Sequence, residues 1–150
     1  MIKDISNNKK AYFNYFVLDK YETGIVLEGS EVKSIRENGI SISESYVKFI
    51  NNELYLINAY IKPYQNSGNF APDPRKKRKL LLKKREIVQI LTKISEKGLT
   101  IACLRVYLKS NLIKVEIGVC RGKKLYDKRE TLKQNSQKME IERARKNFKC

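Results

Sequence analysis

From Leu99 to Cys120 the chain repeats one pattern: LTIACLRVYLK and LIKVEIGVC alternate apolar and polar residues on either side of Ser110-Asn111. Period-two alternation places successive side chains on opposite faces, as an extended strand does, and a short polar break between two such runs reads as a hairpin. The pattern predicts one inner face made of Leu104, Val106 and Leu108 with Ile113, Val115, Ile117 and Val119. A two-stranded hairpin is at best marginally stable in water, so the rest of the chain must cover that face.

Four further segments offer cover. SYVKFI and ELYLINAYI flank Asn51-Asn52, a pair that tolerates positive φ, and so predict a second hairpin. YFNYFVLDKYETGIVL, from Tyr12 to Leu27, reads as strand, bend near Glu22 to Gly24, strand. In SEVKSIREN the period changes: Ser30 caps a two-turn helix with Val32 and Ile35 on one face, Lys33 and Arg36 on the other, and Asn38-Gly39 as a left-handed stop. Leu80, Ile87, Leu91 and Ile94 recur at helical spacing and predict a second helix from about Leu80 to Glu96, ended by Gly98. The order β-β-α-β-β-α-β-β is mainly β with flanking helices. It favours a small closed barrel of the oligonucleotide-binding (OB) type, with an open α+β sandwich as the competing architecture. We expect a barrel domain at 1–120 and a basic C-terminal tail at 121–150.

Charge narrows the function. The 150 residues carry a formal net charge of +16, an excess that suits a polyanion because phosphate counterions are released when Lys and Arg replace them. Nucleic acid is the first candidate. A membrane is disfavoured by the lack of an apolar run of about 18 residues, and MIKDISNNKK lacks the apolar stretch of a signal peptide, so a cytoplasmic protein is expected. There is no histidine, which removes the commonest general base and metal ligand. The three cysteines, Cys103, Cys120 and Cys150, are odd in number and lack C-x-x-C spacing. Neither an enzyme nor a metal centre nor a cofactor is therefore expected, and Cys103 and Cys120 read as small core residues.

Between Arg75 and Arg85 eight of eleven residues are basic, interrupted only by Leu80, Leu81 and Leu82. A helix anchored on the core by Leu80 would hold Lys79, Lys83 and Lys84 at fixed positions against a phosphate backbone; a solvated basic run is the alternative. Lys33 and Arg36 admit the same two readings. The tail beyond Cys120 holds eleven Lys or Arg against four Asp or Glu with few apolar residues, so it is expected to be disordered when free.

GSEVKSIR, INAYIKPY, DPRKKRKLLLKKREI, KGLTIACLRVYLK and CRGKKLYDKRE, in this order, resemble small protein B, the SsrA-binding or transfer-messenger-RNA-binding (tmRNA-binding) family of bacterial ribosome rescue. The resemblance runs from about Asn8 to Arg129. It implies an OB barrel that binds the tRNA-like domain of tmRNA and enters ribosomes stalled on mRNA lacking a stop codon. There the protein stands in for the missing codon-anticodon helix, translation resumes on the RNA's own frame, and the nascent peptide is tagged for degradation. Elongation factor Tu with GTP is implied indirectly, through the aminoacylated RNA. Glu22, Leu81 and Lys83 match the family's RNA-contacting positions, while Lys33, Arg36, Arg75, Arg78, Lys79 and Lys84 are expected backbone contacts on charge grounds. Gly122, Lys123, Lys124, Tyr126, Asp127, Lys128 and Arg129 match the segment that approaches the small-subunit decoding centre, with Tyr126 as a stacking ring. The tail beyond is implied to lie in the mRNA channel and become helical there. The chain departs from the family at Tyr12-Phe13, commonly Arg-His, and at Asn135-Ser136-Gln137, commonly Arg-Asp-Trp.

Overall fold

The structure is a computed structural model that describes residues 2–64, 72–124, 128–129 and 132. It opens with β1 (Ile2–Asn7) and α1 (Lys9–Asn14), neither of which is foreshadowed by the patterning. Asn8 caps α1 by accepting from the Ala11 amide at 3.1 Å, and its own amide donates to the Cys103 carbonyl at 2.9 Å, tying the helix to the long hairpin. β2 (Tyr15–Ile25) then runs without the expected bend. Gly24 lies inside the strand, where an added Cβ would stand 3.2 Å from Leu81 Cβ, so glycine here permits close approach of a neighbouring strand rather than a turn.

α2 (Gly29–Arg36) starts one residue before the expected cap, because Glu28 occupies the N-cap and Glu31 Oε1 accepts from its amide at 3.0 Å. Asn38, at φ 63°, ends it as expected. β3 (Ile40–Ser41), β4 (Tyr46–Ile50), β5 (Glu53–Ile57) and β6 (Tyr60–Ile61) follow, with Asn51 and Asn52 at φ 50° and 64° closing the β4–β5 hairpin.

Next, β7 (Arg78–Leu81) replaces the predicted start of the second helix, and α3 (Lys84–Lys97) begins only after it. Lys83 is the N-cap of α3, its amide donating to Glu86 Oε1 at 3.2 Å, and Gly98 at φ 60° is the expected stop. Ile90, not Leu91, is the fully buried residue of that helix. β8 (Thr100–Lys109) and β9 (Leu112–Gly122) form the predicted hairpin, turning at Ser110 and Asn111 with φ 49° and 67°. Its inner face needs one correction. A bulge between Cys103 and Arg105 adds a residue to β8, so Cys103 and Val106 join Val115, Ile117 and Val119 in the main core. Leu104 points the other way, into a small second cluster with Ala11, Ala102 and Cys120 beneath α1.

Seven strands form one sheet in the order β1-β8-β9-β2-β7-β5-β4, and β3 pairs with β6 apart from it. The chain is mainly β with flanking helices, as expected. Among the described residues the ladder is not hydrogen-bonded all the way round: β1 and β4 are outer strands, and β4 lies against β8 without pairing to it. Along its edge away from β9, β8 pairs with β1 only at residues 105–109. The folded part also extends past the expected boundary at 120, since β9 continues to Gly122 and the Lys123 amide donates to the Asn14 carbonyl at 2.8 Å.

Cys103 and Cys120 are buried as expected, and burial pushes their thiols up, to about 12 and about 11. Because the thiolate is the reactive form, neither should be alkylated in the native protein at pH 8, and both should react once denaturant is added. Peptide mapping after iodoacetamide treatment reads this directly, and native labelling of either would contradict the burial.

Candidate nucleic-acid interface

The residues facing outward where β2 meets β7 form one patch. Gly24 pairs with Leu81 across the two strands, Leu81 is 50% exposed, and Glu22 lies one outward position further along β2. Lys79, the other outward residue of β7, pairs with Glu53 at 3.7 Å. Lys83 and Lys84 follow directly, both exposed at the start of α3. Leu80 is buried beneath them, so it does anchor the basic residues, though as part of a strand.

Glu22 sits in a structured electrostatic setting. Its Oε2 accepts from the Tyr107 hydroxyl, and the Lys109 ammonium lies 3.3 Å from Oε2 and 3.4 Å from Oε1. The tyrosine bond first and Lys109 next hold this carboxyl below the usual carboxylate range, so it is ionised near neutral pH. Tyr107 is only 1% exposed, with the Arg105 guanidinium 4.4 Å from its ring centroid. Arg105 is held in turn by Asp4 at 2.7 Å and Glu116 at 3.3 Å. Burial, with the Glu22 bond after it, raises the Tyr107 phenol above the ordinary tyrosine value. Alternation along β8 puts Arg105, Tyr107 and Lys109 on one outward row, a tyrosine between two cations, a pattern legible in the sequence itself.

The other basic residues fall into two groups. Lys33 stands 5.6 Å from the Tyr64 ring centroid, Arg36 donates to the Asn111 carbonyl at 3.3 Å, and Arg75 donates to Asn58 Oδ1 at 3.2 Å beside the Tyr60 ring. These remain at the surface. Arg78 does not: it is 2% exposed, and its Nη2 lies 2.6 Å from Oε2 of Glu31, itself 2% exposed. Its remaining donors go to the carbonyls of Ala59, Lys76 and Pro74 at 2.9 to 3.1 Å. A guanidinium so enclosed presents nothing to phosphate, which corrects the charge-based assignment.

The tail leaves from the opposite end of the same strands. Tyr15 pairs with Gly122, nine residues of β2 from Gly24, so roughly 30 Å separates the Leu81 patch from the tail root at about 3.3 Å per residue. There Lys123 Nζ donates to the Tyr12 carbonyl at 3.1 Å and lies 4.9 Å from the Phe16 ring centroid, with Arg121 at 5.0 Å. The Lys128 amide donates to the Lys124 carbonyl at 3.1 Å, a helical i to i−4 bond, and Arg129 is exposed. Tyr126, Asp127 and the tail from 133 onward lie outside the described residues. Among the described residues no cluster of Asp, Glu or Cys is arranged to hold a metal, and no helix is long and apolar enough to cross a membrane.

The model of the SmpB protein family matches residues 5–147, nearly the whole chain. The chain belongs to the SmpB family. Among its relatives, the SsrA-binding protein of Sulfurihydrogenibium sp. (strain YO3AOP1) is 49% identical over 142 residues, covering 95% of this chain and 93% of the relative. That of Persephonella marina (strain DSM 14350 / EX-H1) is 47% identical over 145 residues, covering 97% and 95%. A solved chain from work described as "tmRNA-SmpB: a journey to the center of the bacterial ribosome" superposes with TM-score 0.65 at 43% identity, covering 79% of this chain and 84% of that one. The SmpB match thus extends at both ends beyond the blocks from Asn8 to Arg129 that carried the resemblance.

Proposed function

We propose that this chain binds the tRNA-like domain of tmRNA and brings it to ribosomes stalled on mRNA lacking a stop codon. There it occupies the place of a codon-anticodon helix while trans-translation tags the nascent peptide. The observation that carries this reading is the convergence of Glu22, Gly24 and Leu81 on one outward patch beside Lys83 and Lys84, at the far end of the β2–β9 pair from the tail root. A half-exposed leucine between cations suits an unstacked base or sugar better than a regular duplex. Lys33, Arg36, Arg75 and Lys79 add backbone contacts. At the other end Gly122, Lys123, Lys124, Lys128 and Arg129 approach the decoding centre with Asp127, and Tyr126 stacks on a ribosomal base. The remainder of 121–150 follows the mRNA channel.

This is binding rather than catalysis, in the cytoplasm, with elongation factor Tu and GTP acting through the aminoacylated RNA. A general RNA chaperone of the same fold is the rival, and it would bind RNAs indifferently.

The test measures affinity for a tRNA-like-domain RNA, an ordinary tRNA and a random RNA of equal length at two salt concentrations, which separates charge from fit. Preference that survives the higher salt supports the proposal; equal binding that vanishes with salt sinks it. Leu81→Ala should leave stability within about 0.5 kcal/mol, as exposed substitutions do. It should weaken the tRNA-like-domain complex about tenfold, or ~1.4 kcal/mol, with ordinary tRNA nearly unaffected.

A further inference from the structure

An acidic side chain on a surface meant for RNA is useful only if its orientation is controlled. A free glutamate would swing through its rotamers and repel phosphate as readily as it would accept from a base. Glu22 is controlled from one side. Its Oε2 is engaged by the Tyr107 hydroxyl, whereas Oε1 has only the longer 3.4 Å approach of Lys109. Lys109 is an exposed, flexible cation. Tyr107 has a rigid ring, buried on its strand, with Arg105 packed on its face and Arg105 itself fixed by Asp4 and Glu116. The chain of contacts therefore runs from β1 through β8 to the acceptor on β2 beside Leu81.

We propose that Tyr107 is the positioning residue of the RNA surface. Its hydroxyl holds the Glu22 carboxylate so that Oε1 presents a fixed acceptor to an amino or hydroxyl donor of the bound RNA. Lys109 neutralises the charge without setting the direction. The proposal rests on Glu22 meeting RNA, as argued above, and adds that selectivity is set by a residue that need not touch RNA at all. A fixed acceptor rejects a surface that offers phosphate or a second acceptor at that point, so what Tyr107 supplies is discrimination more than affinity.

Tyr107→Phe removes the hydroxyl and keeps the ring under Arg105. Full-length wild type, Tyr107→Phe, Glu22→Ala and the double variant are compared for binding to a tRNA-like-domain RNA and to ordinary tRNA at two salt concentrations, with the thermal midpoint of each. The expected result is a five- to tenfold fall in preference for Tyr107→Phe, through weaker binding of the tRNA-like domain alone, at an unchanged salt slope. In the Glu22→Ala background the same change should have no further effect, since the two act as one unit. Three outcomes overturn the proposal: an unaltered preference in Tyr107→Phe, losses that multiply in the double variant, or equal weakening of both RNAs with a lowered midpoint, which marks a merely structural role. A wild type with no preference between the RNAs would instead overturn the proposed function, and it is read before any variant.

Discussion

Arg78→Ala is expected to lower the free energy of unfolding by about 3–5 kcal/mol, the usual effect of removing one member of a buried ion pair. The arginine reaches Glu31 through both Nε at 2.7 Å and Nη2 at 2.6 Å and caps four carbonyls of the 59–76 region. Its loss strands a carboxylate inside the protein, where the long 3.7 Å approach of Lys76 is a weak substitute. Since a domain of this size is held by roughly 5–15 kcal/mol, the variant would populate unfolded chain readily. Arg78→Lys should recover only a fraction, because an ammonium lacks the planar fork that serves Glu31 and the carbonyls together. Urea denaturation followed by circular dichroism reads both, and a loss below about 1 kcal/mol for Arg78→Ala would show that the pair is dispensable. The consequence for function is indirect: the residues this arginine arranges include Arg75 and Lys76, so its removal should also weaken RNA binding without itself having been a contact.

Leu80→Ala is the second large effect, expected at about 2–5 kcal/mol for a fully buried leucine truncated in a packed core. Its position makes it more than a core residue. Among the described residues β7 joins β2 to β5, and it does so through few pairs: Gly24 with Leu81 and Ile25 with Leu80 on one side, Tyr55 with Lys79 and Leu56 with Arg78 on the other. Loosening β7 separates the two halves of the seven-stranded sheet. Affinity for the tRNA-like domain should therefore fall alongside stability, whereas Leu81→Ala, one residue away, should separate the two. If Leu80→Ala lost stability but bound RNA as well as wild type at temperatures where it is folded, the placement of Leu81 and Lys83 would not depend on the burial of Leu80.

The elements that were legible in the sequence are those whose reason is local. Asn51-Asn52, Asn111, Asn38 and Gly98 all adopt the left-handed backbone their residue types favour, with Ser110 drawn into it beside Asn111, and the alternation of β9 is uninterrupted. What misled the reading depends on residues distant in the chain. Leu80 and Ile87 are seven apart, compatible with a helix, yet the first turn is a strand because β2 and β5 both pair with it. Gly24 looked like a bend and is a close approach to Leu81. One extra residue in β8 turned Leu104 to the other face. β1 escapes the patterning because IKDISN has little apolar content: it pairs along the edge of β8 and sends Ile5 to the main core.

The site divides the same way. Glu22, Leu81 and Lys83 came from family resemblance, and the fold brings them to one place; charge alone misassigned Arg78, whose partner lies 47 residues earlier. No count of lysines and arginines distinguishes a buried guanidinium from an exposed one.

The unclosed ladder has a consequence for how the protein behaves in bulk. An outer strand whose far edge is uncovered offers unpaired amides and carbonyls to a neighbouring copy, the usual seed of edge-to-edge association. Here β1 carries Lys3 and Asp4 with an irregular register at Ile5, and β4 is five residues long with Lys48 at its centre. With a net charge of +16, copies also repel one another over a range of about 10 Å at 0.1 M ionic strength, shrinking to about 3 Å at 1 M. Solubility is thus partly on loan from low salt and from polyanions that coat the surface, and the protein should be least colloidally secure when it is stripped of RNA in concentrated salt.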